Sequence, residues 1–272
     1  MTQQSGTTSD AVGETYDQFG DAGAADAMGG NIHVGYWDDD LDVPITEATD
    51  RLTDLVAGQL TLQSGQHLLD VGCGIGVPAL RVAEAYDVRV TGVTVSAQQV
   101  ATAAERAEGN DRVSFQFGDV LGLPFEDGSF DGAFAIESLL HIADQVAALT
   151  EIHRTVRPGG LLVIADQCQR QPFTGEDKAL LDGMLDVYEI ARINTPDEHR
   201  AFLAEAGWEL LELTDISEQV RPSYGHASAA FRGIAAALEG PAAEQMTAAA
   251  ELMAAYGQHP QAGYVLITAR RT

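Results

Sequence analysis

The sequence has 272 residues, 45% hydrophobic and 21% charged, which suits one large globular domain or a domain carrying a lid. Lysine and arginine number 15 against 41 acids, a formal net charge of −26. A chain so acidic repels polyanions, so nucleic-acid partners and an anionic membrane surface are excluded.

Residues 1–10 are polar and lack the basic start and apolar stretch of a signal peptide, and no run approaches the ~18 apolar residues of a membrane span. A cytoplasmic location is expected. Residues 1–13, rich in Ser, Thr, Gln and Gly, read as a disordered tail. Residues 14–60 read as a lid arm and a helix. The arm scatters Tyr16, Phe19, Met28, Ile32, Val34, Tyr36 and Trp37 among glycines and acids. The helix starts near Thr46 and spaces Leu52, Leu55, Val56 and Leu60 at three- and four-residue steps.

Residues 61–272 read as the main body. A short strand at 66–71 runs into glycines, followed by a helix at 79–86, a strand at 88–95 and an alanine-rich helix at 97–107. Strands are expected at 113–117 and 130–136, then a helix at 144–156 stopped by Pro158-Gly159-Gly160, then a fifth strand at 161–165. Such alternation demands a parallel sheet with helices on both faces. Two helical insertions follow, at 167–194 and 217–262. The first holds an amphipathic helix at 174–190 and the second a long helical stretch at 227–256, interrupted at Gly240-Pro241. Between them Thr195-Pro196-Asp197-Glu198 forms a capping box that opens a helix ending at Gly207, and strands fall at 210–216 and 264–269. The total is seven strands. Cys73 and Cys168, far apart in sequence, are expected as small core or loop residues without a disulfide. No His, Asp and Glu cluster has ligand spacing, so no metal is expected.

The segment Leu68-Leu69-Asp70-Val71-Gly72-Cys73-Gly74-Ile75-Gly76 carries most of the functional reading. A strand turning directly into glycines lets backbone approach a ligand, with a helix N-terminus facing it. The spacing Gly-x-Gly-x-Gly departs from the dinucleotide fingerprint Gly-x-Gly-x-x-Gly. Asp70 is badly placed for a pyrophosphate and well placed for an ammonium. Gly118-Asp119-Val120, after the third strand, offers an acid to an adenine amino group.

Asp70-Val71-Gly72-Cys73-Gly74-Ile75-Gly76 resembles motif I of class I S-adenosylmethionine methyltransferases. Gly118-Asp119, Phe130-Asp131 and Arg157-Pro158-Gly159-Gly160 match three further motifs in order. A closer resemblance is to actinobacterial natural-product methyltransferases, the rebeccamycin-type sugar O-methyltransferases in particular. It rests on His33-Val34-Gly35-Tyr36-Trp37, the segment from Val90 to Ser96, Glu137-Ser138-Leu139, Ala165-Asp166 and the segment from Ala262 to Ile267. The resemblance implies an α/β Rossmann-like fold with a helical lid, S-adenosyl-L-methionine as cofactor, and methyl transfer to a hydroxyl of a secondary metabolite such as an antibiotic, a sugar moiety included. It implies that Tyr16 and Tyr36 close over the cofactor's methionine part. It places Ser96 and Gln99 near ribose and adenosine, and Ile136 and Glu137 at the same site. Thr94 stands where many methyltransferases carry a ribose-binding acid.

Acceptor chemistry belongs at the carboxyl ends of strands four and five. His141 and Asp166 are the expected catalytic pair, the imidazole accepting a hydroxyl proton and the carboxylate holding the imidazolium or aligning the acceptor. His33, Tyr188, Tyr224 and His226 are candidate acceptor-side residues. One departure from the sugar O-methyltransferases stands out: their two consecutive histidines are here Leu140-His141. That leaves open C- or N-methylation, or a cyclase retaining the cofactor on the same fold. A nicotinamide oxidoreductase is disfavoured by the glycine spacing and Thr94, and a binding module remains the non-enzymatic rival. The expected partner is a small molecule, with homo-oligomerisation left open.

Overall fold

The computed structural model describes residues 31–38 and 41–272. Seven strands form one sheet: β1 (His67–Val71), β2 (Arg89–Thr94), β3 (Val113–Phe117), β4 (Phe130–Ile136), β5 (Val156–Gln169), β6 (Trp208–Asp215) and β7 (Ala262–Arg271). Their order is β3-β2-β1-β4-β5-β7-β6. β1 to β5 pair in parallel, and β7 inserts antiparallel between β5 and β6. The chain winds outward from β1 to β3 and then returns to β4 on the other side of β1. The carboxyl ends of β1 and β4 therefore splay apart at the sheet's switch point, where α/β folds bind ligands.

Helices cover both faces because the central strands are apolar on both sides; four of the five residues of β1 are buried. One face is packed by α1 (Ile45–Gln59) and α2 (Val77–Tyr86), whose Leu52, Val56, Ala79 and Val82 meet Leu68, Val90 and Phe134. α3 (Ala97–Arg106) packs beside β2 and β3. The other face is packed by α4 (Gln145–Thr155) and α6 (Pro196–Glu205), whose Leu149, Ile152 and Leu203 meet Leu162, Ile164 and Val265. The capping box opens α6 as expected, Thr195 and Glu198 exchanging side-chain-to-backbone bonds.

A third apolar cluster forms the lid. It joins α5 (Lys178–Val187) to α8 (Pro222–Ala236) and α9 (Pro241–Gln258) through Met184, Tyr224 and Tyr256, with Leu140 packed among them. The structure departs from the sequence reading at three borders. The stretch expected as one helix over 174–190 is a short 3₁₀ turn and then α5, because Glu189 turns left-handed at φ +47° and Ile190 N reaches back to Leu185 O. The helix expected from 227 begins at Pro222, whose ring suits a first helical position, after the short α7 (Ser217–Val220). β5 starts at Val156, which pairs with Phe130 before a bulge carries the chain past Pro158-Gly159-Gly160. Among the described residues no helix is long and apolar enough to cross a membrane.

Candidate active site

β1 carries Asp70 into the sheet, where it is 2% exposed, and the chain then turns at Gly72. Gly72 N and Cys73 N both donate to Val93 O of β2, at 2.9 and 3.0 Å. Gly72 has φ +73°, and a Cβ there would lie 2.3 Å from Cβ of Ser138, just beyond β4. The Ser138 hydroxyl donates to Val71 O at 2.6 Å. Only glycine fits this junction. Gly72→Ala is expected to destabilise the protein by about 1–3 kcal/mol through overpacking and left-handed strain. It should also weaken binding of S-adenosylhomocysteine, as thermal melts and calorimetry would report.

The arm lies over this turn. Asn31, Ile32 and His33 line one wall of a pocket that opens to solvent. Ile32 presses on the glycine turn so closely that a Cβ on Gly74 would lie 3.2 Å from its Cδ1. The pocket runs past the N-terminus of α2, where Val77 and Pro78 line it, to the ends of β2 and β3. Two acceptors here, Asp70 Oδ2 and Asn31 Oδ1, are buried without a hydrogen-bond partner. Burial pushes the Asp70 carboxyl from its ordinary 3.8 up to about 8. Two unsatisfied acceptors in one pocket, one of them a carboxyl, suit a donor-rich cation such as an ammonium.

At the end of β2, Thr94, Ser96 and Gln99 interlock. Thr94 Oγ1 donates to Gln99 Oε1 at 2.7 Å, and Gln99 N donates to Ser96 Oγ at 2.9 Å, capping α3. With its carbonyl engaged, Gln99 has its amide NH₂ left to offer a ligand. Gly118 and Val120 close that end of the pocket; Asp119 stands beside them, its Oδ1 accepting from Leu121 N at 2.9 Å.

The opposite wall comes from the end of β4 and the 3₁₀ turn Leu139–His141. His141 is buried, and its Nδ1 lies 2.8 Å from Glu189 O. A carbonyl only accepts, so Nδ1 carries the hydrogen and Nε2 the basic lone pair. Burial lowers the imidazole pKa to about 4. His33 is also neutral, lowered to about 4 by burial, with Nδ1 donating to Val34 O. Glu137, at φ +47°, lines the pocket and is raised to about 7, because burial outweighs the bonds it accepts from Val34 N, Tyr264 and Gln167.

The carboxyl expected to support His141 lies elsewhere. Asp166 is 2% exposed, outside the pocket lining, and accepts from Gln167 N and from the backbone of Leu140. Burial and the neighbouring Glu137 raise it well above the carboxylate range. Its contact is with the backbone of the turn that bears His141, and the Glu189 carbonyl holds the imidazole instead, so no His141–Asp166 side-chain pair forms. The physical reason is topology: the Asp166 carboxyl faces the turn's amides while the lid loop supplies the nearer acceptor.

A scan for domain families matches residues 69–164 to a methyltransferase domain. The chain is 39% identical over 269 residues to 27-O-demethylrifamycin SV methyltransferase of Amycolatopsis mediterranei (strain S699), covering 97% of this chain and 98% of that enzyme. The chain belongs to the S-adenosylmethionine-dependent methyltransferases. An O-methyltransferase of Penicillium expansum, cnsE, is 39% identical over 264 residues, covering 96% of this chain and 92% of that protein. Among solved structures, the [4+2]-cyclase SpnF superposes with a TM-score of 0.84 at 36% identity, covering 98% of this chain and 97% of that one. The enzyme uses S-adenosylmethionine as cofactor, and its pocket fits that group. The unpartnered Asp70 and Asn31 oxygens suit an amino-acid ammonium, and the glycine turn leaves room that a Cβ would fill.

Of the residues expected at the cofactor, Asp70, Gly72, Gly74, Thr94, Ser96, Gln99, Val120, Ile136 and Glu137 share the pocket lining, and Asp119 borders it. Tyr16 lies outside the described residues. Tyr36 does not line the pocket; it packs against the core face under α1, its amide bonded to Ala48 O. On the acceptor side His33 lines the pocket, whereas Tyr188 and Tyr224 pack into the lid cluster away from it, drawn there by apolar neighbours. The ring of His226 stacks on Trp37. Asn31 and Glu189 escaped the sequence reading, and Ser138 entered it only as part of the Glu137-Ser138-Leu139 motif. An αL backbone near the end of an apparent helix has no local signal when the residue is a glutamate.

Proposed function

We propose that this methyltransferase transfers a methyl group to a hydroxyl of a small-molecule secondary metabolite, within the sugar O-methyltransferase class its motifs resemble. The observation that carries the reading is the neutral His141 on the pocket wall, its Nδ1–H held by Glu189 O. Hydroxyls are weak nucleophiles and gain from a base that takes their proton, typically 10²–10⁴-fold. An amine or an electron-rich carbon needs that help less. The two O-methyltransferases at 39% identity support the same acceptor atom.

The cofactor supplies the electrophilic methyl carbon. Asp70 and Asn31 hold its amino-acid end, and Thr94, Ser96, Gln99, Asp119 and Val120 hold its nucleoside end. The arm and the apolar residues Ile32, Leu139 and Ile142 exclude water. Nε2 of His141 accepts the acceptor's proton. Asp166 acts behind it by holding the Leu140 amide and so the height of the 3₁₀ turn. Much of the rate comes from positioning, which by itself supplies ~7–11 kcal/mol in favourable cases. A soluble cytoplasmic enzyme acting without a metal completes the proposal.

Likeness to the [4+2]-cyclase SpnF favours a second reading, with Leu140 packed in the lid cluster where the sugar O-methyltransferases carry a histidine. Product mass separates the two. Incubation with the cofactor and hydroxylated metabolites from the enzyme's genomic neighbourhood should add one methyl to an oxygen. A cyclised product of unchanged mass, with no S-adenosylhomocysteine formed, would overturn the transfer reading.

A further inference from the structure

Among the described residues the arm is bonded to α1 through Asn31, His33 and Tyr36, and to the sheet through an unusual residue. Glu137 follows β4 in a left-handed conformation, φ +47°, that a glutamate adopts only under constraint. That conformation turns its carboxylate back beneath the arm. Oε1 accepts from Val34 N at 2.7 Å and from Tyr264 Oη of β7 at 3.1 Å. Tyr264 is fully buried in the sheet, so the carboxylate is fixed from below while it holds the arm above.

Bonds on either side make Val34 the point where the arm changes partner. Upstream, Asn31, Ile32 and His33 form the pocket wall. Downstream, Gly35 N donates to Ser223 Oγ of α8 at 2.9 Å and Trp37 N donates to Gln219 O of α7 at 2.9 Å. Glu137 thus ties the arm's backbone to the sheet, beside the side-chain contacts that Asn31 and His33 make with Thr49 and Thr53 of α1.

We propose that Glu137 is a positioning residue that fastens the arm over the cofactor, setting cofactor affinity through the Val34 amide. The groups facing its carboxylate are Tyr264 on β7, Asp166 on β5 and Tyr224 on α8. Burial raises the pKa of each, and Glu137 accepts from Val34 N, Tyr264 Oη and the Gln167 side chain. This role holds whichever acceptor molecule the enzyme methylates.

The test uses the full chain without acceptor. Hydrogen exchange of the Val34 amide is followed in wild type, Glu137→Ala and Glu137→Gln, and S-adenosylhomocysteine affinity is measured by calorimetry. In Glu137→Ala, exchange at Val34 should quicken and affinity fall, each by roughly tenfold, the worth of one buried hydrogen bond. Glu137→Gln keeps an acceptor oxygen and should restore most of both. Val34→Pro deletes the donor while keeping an apolar side chain at a position packed against the core, and thermal melts check that it folds, so it serves even where Glu137→Ala fails to fold. It should weaken affinity to a similar degree, and combining it with Glu137→Ala should add nothing further. Unchanged Val34 exchange in Glu137→Ala, unchanged affinity in Val34→Pro, or additive losses would each overturn the proposal. Additivity in particular would show Glu137 acting on the cofactor directly.

Discussion

Cofactor affinity should rise about tenfold per pH unit from pH 6 towards pH 8 and level off above it, with one proton released on binding. The cause is Asp70, buried without a partner on Oδ2 and raised to about 8. At pH 7 the free enzyme holds this carboxyl mostly protonated. An ammonium placed beside it favours the ionised form, so binding expels the proton, and linkage makes affinity climb as protons become scarce. Calorimetry of S-adenosylhomocysteine in buffers of different ionisation enthalpy would count the proton directly. Asp70→Asn should lose the pH dependence and weaken binding by about 10² or more, the scale set by leaving a buried charge without its partner. The same shift has a stability consequence. Because the folded pKa exceeds the unfolded one, the stability tied to this proton is full below pH 3.8 and lost as pH rises towards 8. The free Asp70→Asn protein should therefore melt higher than the free wild type at pH 9. A pH-independent affinity in the wild type would remove Asp70 from the ammonium site.

The second large effect concerns turnover. His141→Ala should lower kcat by about 10²–10⁴ while leaving S-adenosylhomocysteine affinity within a few-fold. The pH profile of kcat carries the sharper signature. An ordinary histidine base would lose activity below about pH 6.5. Burial holds His141 near 4, so activity limited by this group should persist to about pH 5 and fall only near pH 4. Asp166→Asn, which keeps an acceptor for the Leu140 amide, should cost far less than His141→Ala. Equal losses in the two variants would point instead to a working pair.

The acidity of the chain, the alternation of strand and helix, and the glycine turn after β1 are all local or additive properties. Each is legible without coordinates because a strand running into Gly72 and Gly74 admits one kind of geometry, whatever the rest of the chain does. Thr94, Ser96 and Gln99 came from the resemblance to known methyltransferases, and the structure adds that they interlock where Ser96 caps α3.

The acceptor wall was readable only as a set of residue types. His141 was recognisable as a candidate base, but its tautomer depends on a carbonyl 48 residues away, on a lid loop whose αL turn left no mark in the sequence. Asp166 was recognisable at the end of β5, yet the backbone geometry of β5 and the 3₁₀ turn aims its carboxyl at an amide rather than an imidazole.

Composition, periodicity and the glycine motif therefore determined the α/β fold and the cofactor end of the pocket, because those depend on contacts between near neighbours in the chain. Tertiary structure alone decided which polar groups share the acceptor wall. Val34 meets Glu137 across 103 residues, and Tyr264 meets Glu137 across 127. Bonds of that span are set by how the sheet orders its strands and where the lid packs, and side-chain identity carries no record of either.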